Sequence, residues 1–258
     1  MDYKTIRFDI RDGLAVLTLN RADVMNALNT QMRAEITDAV RRAGKEARCL
    51  VMTGRGRAFC SGQDLGDRAN AGNLDLERTL RDEYVPMLRA IFDSPIPTIA
   101  AVNGAAAGAG ANLALAADVV IATESAVFIQ AFTRIGLIPD AAGTYWLPRQ
   151  VGAAKAMGAA LFAERITARE ASDMGMIWEW VADDQFRDHW WRRARFLAEG
   201  PTEAYRGVKK AIRGSWDNGL EAQLELEGRL QGSMGQTRDF KEGVLAFLEK
   251  RKANYQGR

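Results

Sequence analysis

The feature of this sequence that most constrains its fold is the stretch of glycine and alanine within residues 99–118. It begins after Pro95 as an apolar segment with the length of a buried strand, narrows to glycine and alanine, and continues as apolar residues of helical length. This pattern predicts a strand, a tight turn and the beginning of a helix. Because Gly104, Gly108 and Gly110 have no side chains, another backbone or a ligand can lie against the turn. The N–H groups of the first helical turn would then face an anion or a developing oxyanion.

Three interpretations of this turn are open from its own residues. A dinucleotide-binding turn is disfavoured, because Leu113 stands where the G-x-G-x-x-G pattern has its third glycine and no acidic residue follows about 20 positions later. The second interpretation is a crossover in which small residues serve close packing alone. The third is a site for the oxygen of a thioester carbonyl or of an oxyanion. Other parts of the chain have to decide between the last two.

Composition limits the classes of protein to consider. A chain of 258 residues with 47% hydrophobic and 26% charged residues is typical of a globular enzyme or binding protein with a substantial core. The net charge of +2 gives no electrostatic reason to expect a nucleic acid partner. No apolar run reaches the ~18 residues of a membrane span, and residues 1–4 lead into a strand pattern rather than a signal peptide. We therefore expect a cytoplasmic protein that binds no membrane.

The two cysteines indicate reduced thiols and no metal site. Cys49 lies in a strand-like run and Cys60 in a predicted turn, and neither has the spacing of metal ligands. The lone His189 lies in a helical pattern beside Trp190 and Trp191, so we exclude it from catalysis.

Strands and helices alternate along the first part of the chain. A hairpin is predicted around Asp12 and Gly13, and Thr30 is predicted to cap the following helix. Further short strands and helices follow, at residues 49–53, 80–92, 119–122 and 126–129. Because two strands and a helix recur, the sequence favours an α/β fold of stacked ββα units rather than a doubly wound sheet.

The composition changes towards the carboxyl end. From about Gln185 onward the pattern is nearly all helical, with wide apolar faces of the kind that often pack on another subunit. We predict a core over residues 1–195 and a helical region over residues 196–258.

Asp140 is the acid that the chain pattern singles out. It follows Pro139 and precedes small residues in a mostly apolar loop. A desolvated carboxylate has a raised pKa, which suits a general acid or base. The alternative is a helix cap for the segment that runs toward Leu147.

At this point the chain resembles the crotonase superfamily, also called the enoyl-CoA hydratase/isomerase family. The resemblance runs from the first hairpin to Phe247 and is carried by five pieces in the family's order, at residues 19–28, 58–65, 101–118, 136–139 and 242–247. It implies a spiral of ββα repeats, a C-terminal helical trimerisation region, and assembly as homotrimers or hexamers. It also implies an acyl-CoA thioester substrate and no cofactor, since CoA is part of the substrate.

The resemblance also implies roles for particular residues. Two backbone N–H groups hold the thioester oxygen in this family, and by position they belong to Gln63 and Ala109. The CoA-binding residues that it implies are Met25, Ala27, Ala58, Ser61, Gln63, Asp64, Leu65 and Ala109. The physical logic agrees, because two prearranged amides can stabilise the enolate formed by removal of a proton next to a thioester.

Two departures from the family pattern bear on the reaction. Members that add water across a double bond use two glutamates, and those positions here hold Asn112 and Phe132. The remaining acid is Asp140, as in isomerases of the family that use one aspartate. The loop around Asp140 most resembles the branch that isomerises the ring epoxide 2-(1,2-epoxy-1,2-dihydrophenyl)acetyl-CoA. A related dehalogenase branch has a tryptophan where Phe132 stands, which disfavours that reaction.

The sequence thus predicts an acyl-CoA isomerase in which Asp140 moves a proton and the Gln63 and Ala109 amides hold the enolate. The alternatives are a Δ3,Δ2-enoyl-CoA isomerase, a hydratase-like enzyme, and a non-catalytic acyl-CoA or RNA-binding scaffold. Three aromatic residues either line an acyl pocket or pack the core, namely Phe132, Tyr145 and Trp146.

Overall fold

The computed structural model describes residues 2–66 and 75–258. Strands β1 (Ile6–Arg11) and β2 (Leu14–Leu19) pair antiparallel, with Ile6 opposite Leu19. Asp12 and Gly13 both have positive φ, at 49° and 75°, as a two-residue hairpin turn matching the strand twist requires. The predicted hairpin is therefore confirmed.

Helix α1 (Thr30–Glu46) follows the hairpin. Its cap is Asn29, whose side chain accepts a hydrogen bond from the Met32 N–H at 2.9 Å. The prediction that Thr30 caps this helix is wrong, because the residue with extended backbone lies one position earlier and Thr30 is already helical.

The remaining strands divide between two sheets. They are β3 (Cys49–Gly54), β4 (Ala58–Cys60), β5 (Thr98–Val102), β6 (Ala105–Ala107), β7 (Val119–Thr123), β8 (Val127–Ile129), β9 (Ile166–Thr167) and β10 (Glu179–Val181). The larger sheet has the order β1-β2-β3-β5-β7-β10 and the smaller one β4-β6-β8-β9. Among the strands of residues 2–66 and 75–258, β1–β2 and β8–β9 pair antiparallel and the other pairs are parallel. The hairpin β1–β2 lies in the larger sheet, and the pairs β3/β4, β5/β6 and β7/β8 each contribute one strand to each sheet, which is the predicted stack of ββα units.

Helices lie between these strand pairs, and four consecutive helices follow β10. A continuous helical stretch consists of α2 (Leu76–Thr79), a π-helical segment (Leu80–Tyr84) and α3 (Val85–Phe92). A 3₁₀ turn (Ala131–Ile135) follows β8. The other helices are α4 (Ala109–Leu115), α5 (Gly143–Phe162, kinked at Gly152), α6 (Ala168–Asp173), α7 (Phe186–Ala198), α8 (Thr202–Gly214), α9 (Leu220–Met234) and α10 (Arg238–Leu248).

Two segments predicted as turns are strands of the smaller sheet. Cys60 ends β4, and the alanines after Gly104 form β6, which pairs parallel with β4. Neither segment has the β-branched composition of a strand. These two strands can pair because Gly104 lets their backbones approach closely: a Cβ there would lie 2.2 Å from the Arg57 carbonyl oxygen.

The larger sheet is buried on both faces. Leu50 and Met52 of β3 face the core below α1, whereas Cys49 and Val51 face α7 and its Trp190. Alternate residues of one strand point to opposite faces. Because both faces of β3 are buried, both sets of residues are apolar. The predicted boundary after residue 195 falls within α7, and the division into two domains stays a prediction.

Helices α8 to α10 carry exposed apolar side chains. Polar contacts hold α8 to the core, since Lys209 and Arg213 bind Asp118 at 2.7 and 2.6 Å. Large exposed apolar residues on these helices are Val208, Ile212, Leu220, Leu224, Phe240, Val244, Leu245, Phe247 and Leu248. Within the described ranges, no helix has the length and apolar character needed to cross a membrane.

Candidate active site

Two glycine-containing loops meet where β4 and β6 end. A Cβ on Gly62 would lie 2.8 Å from the Ala107 carbonyl oxygen and 3.4 Å from the Ala109 nitrogen. A Cβ on Gly110 would lie 2.2 Å from the Cys60 carbonyl oxygen. Any larger residue at these two positions would push the loops apart, so glycine brings the backbones of residues 62–63 and 107–109 together.

The Gln63 and Ala109 amides lie at this junction. The loop before Gln63 is held like a parallel strand, because the Leu28 N–H donates to the Gly62 carbonyl and the Asp64 N–H donates to the Leu28 carbonyl. Among residues 2–66 and 75–258, no acceptor is found for the N–H of Gln63 or of Ala109. Backbone donors of this kind can bind a carbonyl oxygen or an oxyanion without any particular side chain.

A cavity of about 510 Å³ opens over these amides. Six of the predicted site residues line it: Ser61, Gln63, Asp64, Leu65, Ala109 and Asp140. The other lining residues include mostly apolar side chains from the helical stretch and the 3₁₀ turn, among them Leu76, Leu80, Tyr84, Phe132, Ile135 and Leu137. The cavity is thus an apolar space with a few polar groups, as is typical of small-molecule sites.

Three predicted CoA-binding residues lie outside this lining. Met25 is exposed and lies beside the cavity, since its carbonyl accepts the Ser61 N–H at 3.0 Å. Ala27 and Ala58 are buried. The Ala58 carbonyl accepts a hydrogen bond from Asn26 Nδ2 at 2.9 Å. The structure therefore groups the three catalytic candidates with Ser61, Asp64 and Leu65, whereas Ala27 and Ala58 are buried outside the cavity lining.

Asp140 is the carboxylate whose environment is unusual. Burial raises its pKa from 3.8 to about 6. Its Oδ1 is buried, with no hydrogen-bond partner among the described residues. The alternative role as a helix cap is not supported, because α5 begins at Gly143 and its first turn accepts no side-chain cap. The backbone carbonyl of Asp140, rather than its carboxylate, accepts the Gly143 N–H at 2.8 Å.

Asp64 is the other described carboxylate of the cavity, and it is already paired. Its Oδ2 lies 2.7 Å from Arg21 Nη1, and its Oδ1 accepts the Gly66 N–H at 3.0 Å. These contacts hold the Asp64 carboxylate against Arg21 and its own loop.

Tyr84 is a cavity residue that the sequence analysis did not single out within the segment of residues 80–92. Its hydroxyl donates to Gln63 Oε1 at 2.6 Å, and the buried Arg33 donates to the same oxygen at 2.9 Å. The Arg33 guanidinium also lies 4.7 Å from the Tyr84 ring centroid. The side chain of the residue that carries the Gln63 amide is therefore anchored twice. The sequence signal that could have identified these two residues is a polar group on an otherwise apolar helical face, namely the Tyr84 hydroxyl and the Arg33 guanidinium.

The aromatic residues left open by the sequence divide into two groups. Phe132 lines the cavity, and its ring would lie 3.8 Å from a Cβ on Gly108. Tyr145 and Trp146 meet edge to face, with ring centroids 4.8 Å apart and ring planes at 87°. Trp146 also packs against Phe92. Phe132 is therefore a cavity residue, whereas the other two pack against the core.

Neither position of the family's glutamates supplies a base. Asn112 is completely buried, and its Nδ2 donates to the Asp140 carbonyl at 2.7 Å. The described part of the chain contains no group of three His, Cys, Asp or Glu residues arranged to hold a metal ion.

Comparisons with known proteins agree with this geometry. A family model described as enoyl-CoA hydratase/isomerase matches residues 9–258. A probable enoyl-CoA hydratase of Rhodobacter capsulatus is 64% identical over 258 residues, covering 100% of both chains. A 1,2-epoxyphenylacetyl-CoA isomerase of Escherichia coli K12 is 42% identical over 254 residues, covering 96% of this chain and 97% of that protein.

A solved structure extends the agreement to the fold. The crystal structure of an enoyl-CoA hydratase from Bacillus anthracis matches with a TM-score of 0.91 and 30% identity, covering 99% of this chain and 100% of that one. Nearly the whole chain follows the same path as that enzyme. The chain therefore belongs to the enoyl-CoA hydratase/isomerase family and has its crotonase fold.

Proposed function

We propose that this enzyme is an acyl-CoA isomerase that moves a proton within the acyl group through a thioester enolate. Asp140 removes a proton from the carbon next to the thioester and returns it to a more distant carbon of the same acyl group. The N–H groups of Gln63 and Ala109 bind the thioester oxygen while it carries the negative charge. The proton and the double bonds move within one molecule, and in a ring epoxide a ring bond also breaks. The product is an isomer formed without net oxidation or reduction, so the proposed reaction requires no cofactor.

The observation that carries this proposal is the state of the two cavity carboxylates. Asp64 is held by Arg21 and the Gly66 amide. Asp140 has a buried oxygen with no hydrogen-bond partner in the described part of the chain, and burial raises its pKa to about 6. An unpartnered carboxylate with a raised pKa can both accept and return a proton near neutral pH. One such group is sufficient for a proton shuttle, whereas water addition calls for a second group to orient and activate water.

The substrate that we favour is a ring-epoxide thioester, 2-(1,2-epoxy-1,2-dihydrophenyl)acetyl-CoA. The loop around Asp140, the aromatic wall from Phe132 and Tyr84, and the identity of 42% to the Escherichia coli isomerase support an aromatic acyl group. A place in phenylacetate catabolism follows from that substrate. The alternative is a Δ3,Δ2-enoyl-CoA isomerase of fatty acid metabolism, because the same proton shuttle acts on any acyl chain that fits.

The CoA portion of the substrate would run along the loop of Ser61, Asp64 and Leu65, past Met25. Ala27 and Ala58 would support this groove from below. We further propose a homotrimer or hexamer in the cytoplasm, formed through the helical region of residues 196–258, without nucleic acid or membrane partners.

Substitution of the proposed base tests the reaction. We expect Asp140→Asn to retain binding of a saturated acyl-CoA, because both amides are untouched, and to lower isomerisation by about 10²–10⁴. The measurement combines calorimetric binding with turnover of the ring epoxide and of 3-enoyl-CoA thioesters. Asp64→Asn is a matched control that removes the other carboxylate and should raise KM more than it lowers kcat. Near-normal isomerisation by Asp140→Asn would remove Asp140 from the mechanism.

The same assays distinguish the three candidate functions, which are an isomerase, a hydratase and a non-catalytic scaffold. We expect the unmodified protein to hydrate crotonyl-CoA very poorly, because Asn112 and Phe132 provide no second carboxylate. Rapid hydration would favour the activity named for the Rhodobacter capsulatus relative. Acyl-CoA binding without turnover of any thioester would favour a non-catalytic scaffold.

A further inference from the structure

Asn112 links the two halves of the proposed active site. It lies on α4, three residues after Ala109, and its side chain is completely buried. Its Nδ2 donates to the Asp140 carbonyl at 2.7 Å, and its Oδ1 accepts Gln130 Nε2 at 2.8 Å. The helix that begins with the Ala109 amide is thereby joined to the residue that carries the carboxylate.

The chemistry of the carbonyl fixes the orientation of both amides. A backbone carbonyl can only accept, so the atom of Asn112 that faces Asp140 must be the NH₂ group. The Oδ1 of Asn112 then needs a donor, and Gln130 supplies it from the end of β8. Both side chains are buried, with exposures of 0% and 1%. Asn112 thus has a partner for both of its polar atoms and is held in one arrangement, whereas Gln130 Oε1 is buried without a hydrogen-bond partner among the described residues.

The turn that Asn112 holds has a strained backbone. Ala141 and Ala142 follow Asp140 with φ of 48° and 62°, a left-handed conformation that is unfavourable for residues other than glycine. The turn also packs tightly on Asn112, because a Cβ on Gly143 would lie 2.3 Å from Asn112 Nδ2. Such a conformation persists only where the surroundings impose it.

We propose that Asn112 is a positioning residue for Asp140. Its amide, oriented by Gln130, holds the strained turn of residues 140–143 against α4 and so directs the Asp140 carboxylate into the cavity that the Ala109 amide faces. The residue acts through Asp140 and does not touch the substrate. This role rests on the proposed function of Asp140 as the proton shuttle.

The test replaces the Asn112 amide, which donates to the Asp140 carbonyl, with a carboxyl group of the same shape. In Asn112→Asp a carboxyl group would face the Asp140 carbonyl. At any pH where it is ionised it cannot donate a hydrogen bond, so the turn loses its restraint and gains a nearby negative charge. We expect kcat to fall at least tenfold, while the dissociation constant of a saturated acyl-CoA changes less than twofold. The acidic limb of the pH profile of kcat should move to higher pH, because a like charge disfavours ionisation of Asp140. The other charged or titratable groups that line the cavity are unchanged in the variant: Asp64, Tyr84 and Arg134.

Gln223→Glu is the matched control. Gln223 Nε2 also donates to a backbone carbonyl, that of Ala211 at 3.1 Å, but this contact lies between α8 and α9. The control makes the same change from amide to carboxylate and should leave kcat and the pH profile unaltered. Gln130→Met is a second route, since it removes the donor to Asn112 and leaves the contact with Asp140. We expect a smaller loss of kcat from Gln130→Met, and it serves if Asn112→Asp does not fold.

A double-mutant cycle separates positioning from a general structural role. If Asn112 acts through Asp140, Asn112→Asp should have no further effect on kcat in the Asp140→Asn background. Equal losses of kcat in both backgrounds would overturn the proposal, as would unchanged kcat and pH profile in Asn112→Asp. A carbon-13 NMR titration of the Asp140 carboxyl requires no turnover, and the same pKa in Asn112→Asp as in the parent would also overturn it. Failure of the parent to isomerise any thioester would instead refute the proposed function.

Discussion

At the scale of single residues, Asp64 and Asp140 are two identical side chains in one cavity with opposite environments. Arg21 and a backbone amide surround the carboxylate of Asp64. The carboxylate of Asp140 has no ion-pair partner among the described residues, and burial raises its pKa to about 6. Residue type alone therefore does not decide which acid can exchange protons. The partners of each carboxylate decide it.

The raised pKa predicts the pH dependence of the enzyme. Asp140 must be ionised to accept a proton, and below about pH 6 it is increasingly protonated in the free enzyme. We expect kcat/KM to be level above that pH and to fall about tenfold per pH unit below it. Steady-state rates from pH 4.5 to 8.5 measure this limb, with the residual activity of Asp140→Asn as the control. A limb near the ordinary aspartate value of 3.8 would contradict the assignment.

At the scale of elements, the site depends on how closely α4 and its preceding loop approach β4. Gly62 and Gly110 are the contact points, and both would place a Cβ within 3 Å of a backbone oxygen. The second of these contacts joins the first turn of α4 directly to the end of β4. The two amides of the proposed oxyanion site are close because these elements have no side chains between them.

Alanine at Gly110 should therefore separate the two elements. We expect Gly110→Ala to lower the free energy of unfolding by about 1–3 kcal/mol, as overpacking does, and to reduce kcat through displacement of the Ala109 amide. Gly158→Ala is the matched control, because Gly158 lies within α5 and a Cβ there meets nothing within 4 Å. That control should raise stability by a few tenths of a kcal/mol up to about 1 kcal/mol. Denaturant unfolding and acyl-CoA turnover measure both effects, and equal stability of the two variants would refute the packing argument.

At the scale of the whole molecule, the exposed apolar side chains concentrate on α8 to α10. Phe247 and Leu248 are 83% and 71% exposed in the single chain, and Leu220 is 68% exposed. Contiguous apolar surface of this kind usually marks an interface between proteins. The helical region of residues 196–258 therefore remains our candidate for the contact between subunits.

Removal of α9 and α10 tests this assignment. We expect a chain that ends after Trp216 to be an inactive monomer or an aggregate, because α8 loses the helix that packs on it and its apolar face loses its partners. Analytical ultracentrifugation measures the assembly state, and the full chain, expected as a trimer or hexamer, is the reference. A truncated monomer that stays dispersed and fully active would exclude these helices from assembly.

Much of the fold is readable from local patterns in the sequence. Alternation predicts the first hairpin, helical periodicity predicts the C-terminal helices, and small residues predict the close approach at Gly108 and Gly110. These features were predictable because each depends on residues near one another in the chain. The cap of α1 and the short strands β4 and β6 were mispredicted. A cap is set by the backbone of one residue, and these strands form only because distant segments pair.

The sequence by itself determined the class of fold, the order of its elements, and the presence of one candidate acid beside a loop of small residues. Only the tertiary structure decided how that acid is used. It joined Asn112 to the carbonyl of Asp140 across 28 positions, and Tyr84 to Gln63 across 21. It also left Phe132 in the cavity while it packed Tyr145 and Trp146 into the core. Such choices depend on contacts between distant segments, because burial and hydrogen-bond partners are properties of the folded chain and not of any stretch of sequence.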